Sequence, residues 1–435
     1  MLFVAYLLLG LALLVGNGTL SGLPFALGSA ALVAHAWVRG PRVLPGILPW
    51  LVALSAALVL MRAPAAGGRW FWFAPLTILQ AVLAISVYLR PHRPGRAMLA
   101  LALALYAVAG ALLITRTPPP RIDVLEFQQD GAVALESGRN PYAITFPNPY
   151  TTEETQRFYG DERTELRQYP YPPLSLFVTT LGHRIGGDVR WTLLAAQLGI
   201  ALLLFELCIG AGHTSSVALA IATLHLLHPR GLFVLEQAWT DALLAAAFLA
   251  IVLLIQRART GWLGLALGLY VATKQYSVVA LPVLFHGRRL PPKAWFEALA
   301  LAGAITLPFF VWSPSDFVDD VVLCQLRQPF RADALSLPAF VAWATGWRAP
   351  GALAPLGAAL AIALTWSRSR SDSRPSSLPH CAAIVFLSFF LCAKQGFCNY
   401  YYFAGVLILG AAALFEPGDT APGTSSAGRR DSPCA

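Results

Sequence analysis

The chain has 435 residues, of which 57% are hydrophobic and only 12% are charged. A soluble globular protein carries about 25% charged residues, so this composition excludes an ordinary soluble domain. The formal net charge of +9 does not indicate nucleic-acid binding, because the arginines lie mainly in short loops between apolar segments, where they orient membrane proteins.

Apolar runs recur along the whole chain, and many approach the length of about 20 residues that a helix needs to cross a bilayer. Backbone polar groups in hydrocarbon must be satisfied within their own segment, so leucine- and alanine-rich runs must be helical. The sequence therefore predicts an all-α fold, a polytopic transmembrane bundle of about 11–14 helices with one large extracytoplasmic loop that carries surface helices.

Five apolar segments precede the first long polar stretch. They lie at about 2–19, 22–38, 43–61, 71–89 and 97–115. The first has no basic residues before its apolar run, which predicts a transmembrane helix rather than a secretory signal peptide. Residues 1–96 are thus expected to form an N-terminal group of transmembrane helices.

Basic residues follow the second and fourth segments. They are Arg39, Arg42, Arg90, His92, Arg93 and Arg96. By the positive-inside rule these loops are cytoplasmic, and Arg62 and Arg69 on the opposite side weaken this signal without reversing it. We therefore expect a plasma (inner) membrane protein with both termini in the cytoplasm and the long polar loop outside.

The polar loop at 116–173 carries nine acidic residues. Its apolar positions predict a helix over 122–137, with Asp123, Glu126 and Asp130 along one side. One interpretation is a surface helix that offers a carboxylate as general base to a sugar hydroxyl. The alternative is a solvated amphipathic helix whose acids merely face water.

The return into the membrane is predicted at Tyr169–Leu174. Proline suits the first turn of a helix and tyrosine favours the membrane interface, so Tyr171 is either an interface anchor or a substrate contact. Further apolar segments lie at about 173–186, 191–210, 214–230, 239–256, 261–285, 294–312, 351–366, 378–393 and 400–415. Residues 416–435 are rich in glycine, serine and proline, which predicts a disordered cytoplasmic tail.

Charged and amide side chains interrupt the apolar segments at three places. They are Glu236 and Asp241, Lys274 and Gln275, and Lys394 and Gln395. A charge at bilayer depth costs about 2.5–3.5 kcal/mol, so such groups usually face a partner or a wet cavity. The chain has only three lysines, and two of them lie here. They fit the phosphate of a lipid head, or else an internal ion pair with Glu236 or Asp241.

Basic residues flank segments 261–285 and 378–415 on both sides, which requires an even number of crossings for each. Each segment is therefore predicted to form two short half-spans. Those of 261–285 meet at Lys274, and those of 378–415 meet at Lys394. The segment at 313–334 is expected outside, where Arg327 and Arg331 bind phosphate or pair with neighbouring aspartates. The six cysteines show no paired spacing that indicates a disulfide framework or a metal site.

Several of these blocks, in this order, resemble the GT-C superfamily of membrane glycosyltransferases, and in particular the polyprenyl-phosphate-mannose-dependent group of family 87. The blocks are Asp123, Ala134–Tyr142 with its Asn140-Pro141-Tyr142, Tyr171–Leu174, Glu236–Asp241, Lys274-Gln275-Tyr276, and Lys394–Tyr400 with its Asn399. The resemblance covers about 120 to 405. It departs from the family in that five segments precede the acidic loop, so residues 1–96 are either an added bundle or a rearranged core.

The resemblance implies a GT-C-like catalytic core at 97–415, with Asp123 as the catalytic base and a polyprenyl phosphate as leaving group. The implied substrates are a polyprenyl-phosphate-linked sugar, mannose or another hexose or pentose, and an extracytoplasmic glycan, glycolipid or protein acceptor. The predicted substrate-binding residues are Glu126, Asp130, Asn140, Tyr142, Tyr171, Glu236, Asp241, Lys274, Gln275, Arg327, Arg331, Lys394, Gln395, Asn399 and Tyr400. No cofactor and no metal are expected. A flippase for lipid-linked saccharides and a non-catalytic assembly subunit are the alternatives, since broken spans with charges at depth also build transport sites.

Overall fold

The computed structural model describes residues 1–40, 45–62, 72–90, 95–285, 290–369 and 377–415. Within these ranges the regular structure is helical apart from one two-stranded sheet, which confirms the predicted all-α fold. The interpretations of Arg42, Arg69, His92, Arg93 and the tail at 416–435 lie outside the described residues.

The first helices match the predicted apolar segments. They are α1 (Leu2–Gly16), α2 (Leu23–Arg39), α3 (Leu48–Met61), α4 (Phe73–Leu89) and α5 (Gly95–Arg116). The polar loop then holds α6 (Asp123–Glu136), strand β1 (Phe146–Pro147), α7 (Thr152–Tyr159), strand β2 (Glu165–Leu166) and α8 (Pro173–Gly186). The two strands pair antiparallel, with Phe146 opposite Leu166.

The following helices form most of the bundle. They are α9 (Arg190–Gly210), α10 (Ser215–Leu226), α11 (Gly231–Glu236), α12 (Asp241–Gln256), α13 (Leu263–Thr273), α14 (Leu281–Phe285) and α15 (Pro292–Trp312). The last group comprises α16 (Pro314–Val318), α17 (Cys324–Arg327), α18 (Leu337–Thr345), α19 (Leu353–Ser369), α20 (Ser377–Leu391) and α21 (Cys398–Ala413), with a π-helical turn at Asp319–Leu323 between α16 and α17.

Four described helices are long and apolar enough to cross a membrane. They lie at Leu20–Arg39, Gly95–Arg116, Arg190–Gly210 and Pro292–Trp312. Further apolar helices of 10–17 residues accompany them, and the buried apolar side chains of α1 to α5 join the same core as those of α9 to α15 and α19 to α21. The helices before the polar loop are therefore packed into the bundle rather than attached to its side.

Residues 117–189 and 313–336 pack on each other at one end of the bundle, and we call them the loop layer. The Gln168 side chain donates to Asp319 at 3.1 Å, and Arg157 pairs with Asp333 at 3.0 Å. The chain leaves α5 and enters α9 at this same end, since the Arg190 guanidinium lies 3.4 Å from the carbonyl oxygen of Ile114.

Helix α8 lies along α6 within the loop layer. The Thr179 hydroxyl donates to Gln128 at 2.8 Å, and the Gln129 amide donates to the carbonyl of Gly187 at 3.0 Å. These hydrogen bonds hold α8 along α6, and α8 also packs against α9, α13 and α15 of the bundle. The return into the membrane expected at Tyr169–Leu174 stays a prediction.

Both predicted breaks in the apolar segments are present. Helix α13 ends at Thr273, Lys274 is extended, and a 3-10 segment at Gln275–Ala280 leads into α14. Helices α20 and α21 pack as a hairpin joined at 392–397. Both breaks lie at the loop-layer end, because Gln275 and Gln395 donate to backbone carbonyls of that layer.

The turn between α1 and α2 lies directly under the loop layer. Gly18 has φ +76°, and a β-carbon there would stand 2.3 Å from the backbone nitrogen of Cys398. The Leu20 amide donates to the carbonyl of Asp333 at 3.1 Å. Glycine is therefore required both by its backbone conformation and by the close approach of α21.

Candidate active site

Asp123 begins helix α6 at the edge of the loop layer. One carboxylate oxygen accepts from its neighbour's amide, that of Val124, at 2.8 Å, and the other accepts from the Tyr159 hydroxyl. The Tyr150 hydroxyl accepts from the Asp123 amide at 3.2 Å. Burial raises the pKa of Asp123, while its hydrogen bonds and the charge of Arg331 oppose that rise. A carboxylate whose pKa is raised accepts a proton more readily than an ordinary aspartate does.

Tyr150 and Tyr159 are absent from the residues predicted from the sequence. They come from the charged part of the polar loop, where α7 is capped by Thr151 and Glu154 and carries Tyr159 in its last turn. No local pattern distinguishes these two tyrosines from the other aromatic residues nearby. Only the folded loop brings them to Asp123.

Hydrogen bonds from other parts of the chain fix the backbone of Tyr169–Tyr171 at each of its three residues. The Tyr169 amide donates to Asp320 at 2.8 Å, and the Tyr142 hydroxyl donates to the carbonyl of Tyr171 at 2.8 Å. The Pro170 carbonyl accepts from the side-chain amides of Gln275 and Gln325. Gln275 and Tyr142, both predicted to bind substrate, thus hold the backbone that carries Tyr171.

Asp241 is fully buried at the start of α12 and accepts three hydrogen bonds. Lys274 donates at 2.7 Å, Asn399 donates at 2.8 Å, and the Tyr276 hydroxyl is the third donor. The internal ion pair considered for Lys274 is therefore formed with Asp241. Because this charge pair is buried, its hydrogen bonds with Asn399 and Tyr276 are needed to offset the cost of desolvation.

Tyr171 and Tyr400 lie close to both Asp123 and Asp241. The Lys274 ammonium lies 5.9 Å from the ring centre of Tyr171 and 5.7 Å from that of Tyr400. The pKa of the Tyr171 phenol is raised well above its usual value, first by burial and then by the charges of Asp123 and Asp241. The fold therefore brings six predicted residues close together: Asp123, Asp241, Lys274, Asn399, Tyr171 and Tyr400.

Arg331 lies on the loop-layer side of this site. Its guanidinium forms a two-point ion pair with Asp333 at 2.9 Å and lies over the rings of Phe158 and Phe397, at 4.3 and 4.7 Å from their centres. Arg157 binds the same carboxylate. Two guanidinium groups thus share one aspartate, which leaves a net positive charge near Asp123.

Other predicted residues have structural partners. Lys394 donates to the carbonyls of Leu326 and Gln328 at 2.9 and 2.6 Å, at the C-terminal end of α17. Arg327 pairs with Asp319, which is one of the pairings considered from the sequence. Gln395 donates to the carbonyl of Pro329 at 2.9 Å.

The remaining predicted residues are Glu126, Asp130, Asn140 and Glu236. Glu126 and Asp130 are half-buried on α6, and burial raises the pKa of each. The Asn140 side chain accepts from the amide of Tyr142 and caps a 3-10 turn. Glu236 is buried at the end of α11. Among the described residues, no group of three His, Cys, Asp or Glu could hold a metal ion, and the five described cysteines are free thiols.

Asp320→Asn is expected to stabilise the protein increasingly as the pH rises. Burial, with the charges of Asp319 and Asp316, raises the pKa of Asp320 from 3.8 to about 8, although the amide of Tyr169 opposes the shift. The folded state therefore binds a proton that the unfolded state has lost, so stability falls as the pH rises from about 4 to about 8. Asparagine keeps an acceptor for Tyr169 but has no charge.

The measurement is thermal unfolding in detergent at acidic, neutral and alkaline pH. The difference between the variant and the wild type should grow in favour of the variant toward alkaline pH. Asp161→Asn serves as the control, because Arg163 lowers the pKa of Asp161 and no such gain is expected. A difference that does not change with pH would contradict the shifted pKa of Asp320.

Comparison with known proteins identifies the family. The model of glycosyltransferase family 87 matches residues 169–393, which is more than half of the chain. The match includes Tyr171, Asp241, Lys274 and Arg331, whereas Asp123 lies outside it and reaches the same site through the fold. No curated protein and no solved structure matches the chain significantly. The chain belongs to glycosyltransferase family 87.

Proposed function

We propose that this glycosyltransferase transfers a sugar from a polyprenyl-phosphate donor to a hydroxyl of a glycan, glycolipid or protein acceptor, with Asp123 as the general base. The donor sugar is mannose or another hexose or pentose. The loop layer faces the extracytoplasmic side of the plasma membrane, and both termini lie in the cytoplasm. Residues 97–415 form the catalytic core, on which α1 to α4 pack.

One observation carries this proposal. The partly buried carboxylate of Asp123 lies at the end of the helical bundle. Tyr171 and Tyr400 lie near it and also near the buried pair of Asp241 and Lys274. A base next to aromatic rings at a bundle end suits a sugar whose carrier lipid stays in the membrane. Family membership favours such a transferase over the flippase and the assembly subunit.

The proposed reaction is a single displacement. The acceptor hydroxyl gives its proton to the Asp123 carboxylate while its oxygen bonds to the anomeric carbon. The bond between that carbon and the phosphate oxygen breaks, and polyprenyl phosphate leaves with the electron pair. Because the hydroxyl attacks the face opposite the leaving group, the configuration at the anomeric carbon is inverted. The phosphate gains one negative charge in this step, so a nearby cation lowers the barrier.

Arg331 is the best-supported cation for that phosphate. Together with Arg157 and Asp333 it forms a group with net charge +1, and the Arg331 charge already acts on Asp123. The charge of Lys274 is balanced by Asp241, so its role is to hold Asp241 near Tyr171 and Tyr400. Tyr171 and Tyr400 are proposed to pack on the sugar faces.

The test uses the purified protein in liposomes with synthetic polyprenyl-phosphate sugars and an acceptor extract. Release of free polyprenyl phosphate that depends on both protein and acceptor is expected for one donor of the panel. Nucleotide sugars serve as matched donors with the same sugars. Transfer from a nucleotide sugar alone, or no release from any lipid donor by a folded protein, would reject the proposed donor class.

A further inference from the structure

Helix α18 is short, apolar and attached to the loop layer. The Ser336 hydroxyl caps its start by accepting from the amide of Ala339 at 3.3 Å, and Gly346 ends it with φ +76°. The helix has nine residues and none of them is charged. It lies outside every apolar segment predicted from the sequence, so its environment needs an explanation.

The two faces of α18 differ. Pro338 and Ala339 are buried against the protein. On the opposite side Leu337, Phe340 and Trp343 have 36, 44 and 72% of their surfaces exposed, and the Phe340 and Trp343 rings lie 5.8 Å apart. A helix that is apolar all round and half exposed requires an apolar environment for its free face.

The length of α18 excludes a crossing. Nine residues extend about 14 Å, less than half of the roughly 30 Å of a hydrocarbon core. The next helix in the chain, α19, exposes Leu360 and Leu364 at 67 and 68%, which is typical of a surface that faces lipid. The free face of α18 is therefore suited to the boundary of the same bilayer.

The residues after α18 fit the polar side of that boundary. Trp347 is 58% exposed and Arg348, next to it, is also exposed. Tryptophan concentrates at membrane interfaces, and a guanidinium pairs well with lipid phosphates. Apolar residues are thus followed by an interface residue and then by a cation, in the order expected along the path from hydrocarbon to headgroups.

Helix α18 is also tied to the candidate active site. The Leu335 amide donates to the carbonyl of Gly396 at 2.8 Å, and the Arg331 amide donates to the carbonyl of Lys394 at 3.2 Å. The short segment that contains Arg331 and Leu335 therefore leads directly into α18. Backbone hydrogen bonds thus hold Arg331 and the start of α18 at the same end of the bundle.

We propose that α18 lies flat in the leaflet next to the loop layer, with Leu337, Phe340 and Trp343 in the hydrocarbon boundary and Arg348 among the phosphates. The partner is the phospholipid bilayer itself. This position holds Arg331 near the level of lipid phosphates, which agrees with a lipid-phosphate donor. Only that last consequence rests on the proposed function, because the position of α18 is independent of the reaction.

The test measures the depth of a fluorescent label. Trp343→Cys is made in a background with Cys392→Ser and Cys434→Ser, labelled, and reconstituted in vesicles of phosphatidylcholine and phosphatidylglycerol. Two matched positions calibrate depth: Leu360→Cys on lipid-facing α19, and Gln156→Cys on the exposed side of α7. Quenchers are lipids brominated near the headgroup, lipids brominated near the chain end, and aqueous iodide.

The label at 343 is expected to be quenched most strongly by lipids brominated near the headgroup, and the label at 156 by iodide alone. Quenching at 343 by iodide alone would overturn the proposal, because α18 would then lie in water. Strongest quenching by lipids brominated near the chain end would equally overturn it, since α18 would then lie deep in the bilayer. A label at Trp347→Cys repeats the test should the first variant fold poorly. Failure of the sugar-transfer assay leaves these results unaffected.

Discussion

Asp123→Asn is expected to lower turnover by about 10²- to 10⁴-fold, the range that a positioned general base contributes. The substitution keeps the shape of the side chain and an acceptor for the Val124 amide, while it removes the basic oxygen. Binding of the donor should change little, so the loss should appear in kcat rather than in KM. The measurement is release of polyprenyl phosphate by variant and wild type of equal thermal stability.

Glu136→Gln is the matched control, because Glu136 lies at the other end of the same helix α6, where it pairs with His183 at 2.9 Å. Its activity should stay within a few-fold of wild type. Equal loss in both variants, or full activity of Asp123→Asn, would remove Asp123 as the base.

The pH profile of the wild type gives a second test of Asp123. The base must be ionised, so activity should fall as the pH decreases through the pKa of Asp123, which burial raises above 3.8. Tyr159→Phe removes a hydroxyl that stabilises the ionised carboxylate. The acidic limb of the profile should therefore move to higher pH in this variant. An unchanged limb would show that another group controls it.

Asp241→Asn is expected to destabilise the protein by about 3–5 kcal/mol, because it leaves the Lys274 ammonium buried without its counter-charge. The amide has one acceptor oxygen, whereas the carboxylate accepts from Lys274, Asn399 and Tyr276. Activity should fall together with stability, since Lys274 lies beside Tyr171 and Tyr400. The measurements are thermal unfolding and polyprenyl phosphate release.

Two variants isolate the cause. The double variant Asp241→Asn/Lys274→Met removes both charges and should recover much of the stability without recovering activity. Asp319→Asn removes a carboxylate from the exposed pair with Arg327, for which a loss of about 0–1 kcal/mol is expected. Similar losses in Asp241→Asn and Asp319→Asn would contradict a special role for the buried pair.

Several features of this protein follow from local properties of the chain. The high apolar content and its segment lengths predicted an all-α membrane fold, because each helix satisfies its own backbone. The helix predicted over 122–137 agrees with α6 to within one residue at each end. The breaks at Lys274 and Lys394 were also predicted, since a polar residue within an apolar run disturbs it locally. The order of the blocks was enough to indicate the family.

Other features depend on contacts between distant parts of the chain. Asp241 pairs with Lys274 and Asn399, which are 33 and 158 positions away. Each donor could satisfy its hydrogen bonds in more than one way, and only packing selects the partner. For the same reason the sequence did not reveal that Gln275 holds the Pro170 carbonyl, 105 positions away, or that Tyr159 donates to Asp123.

The sequence by itself determined that the chain is a helical membrane protein, where its apolar segments break, and which family it resembles, because hydropathy and residue order are local quantities. The tertiary structure alone decided that α8 packs along α6, that Lys274 is neutralised by Asp241, and that Arg331 lies near Asp123. These arrangements give partners to polar groups that lie far apart in the sequence, and such partners meet only once the helices have packed.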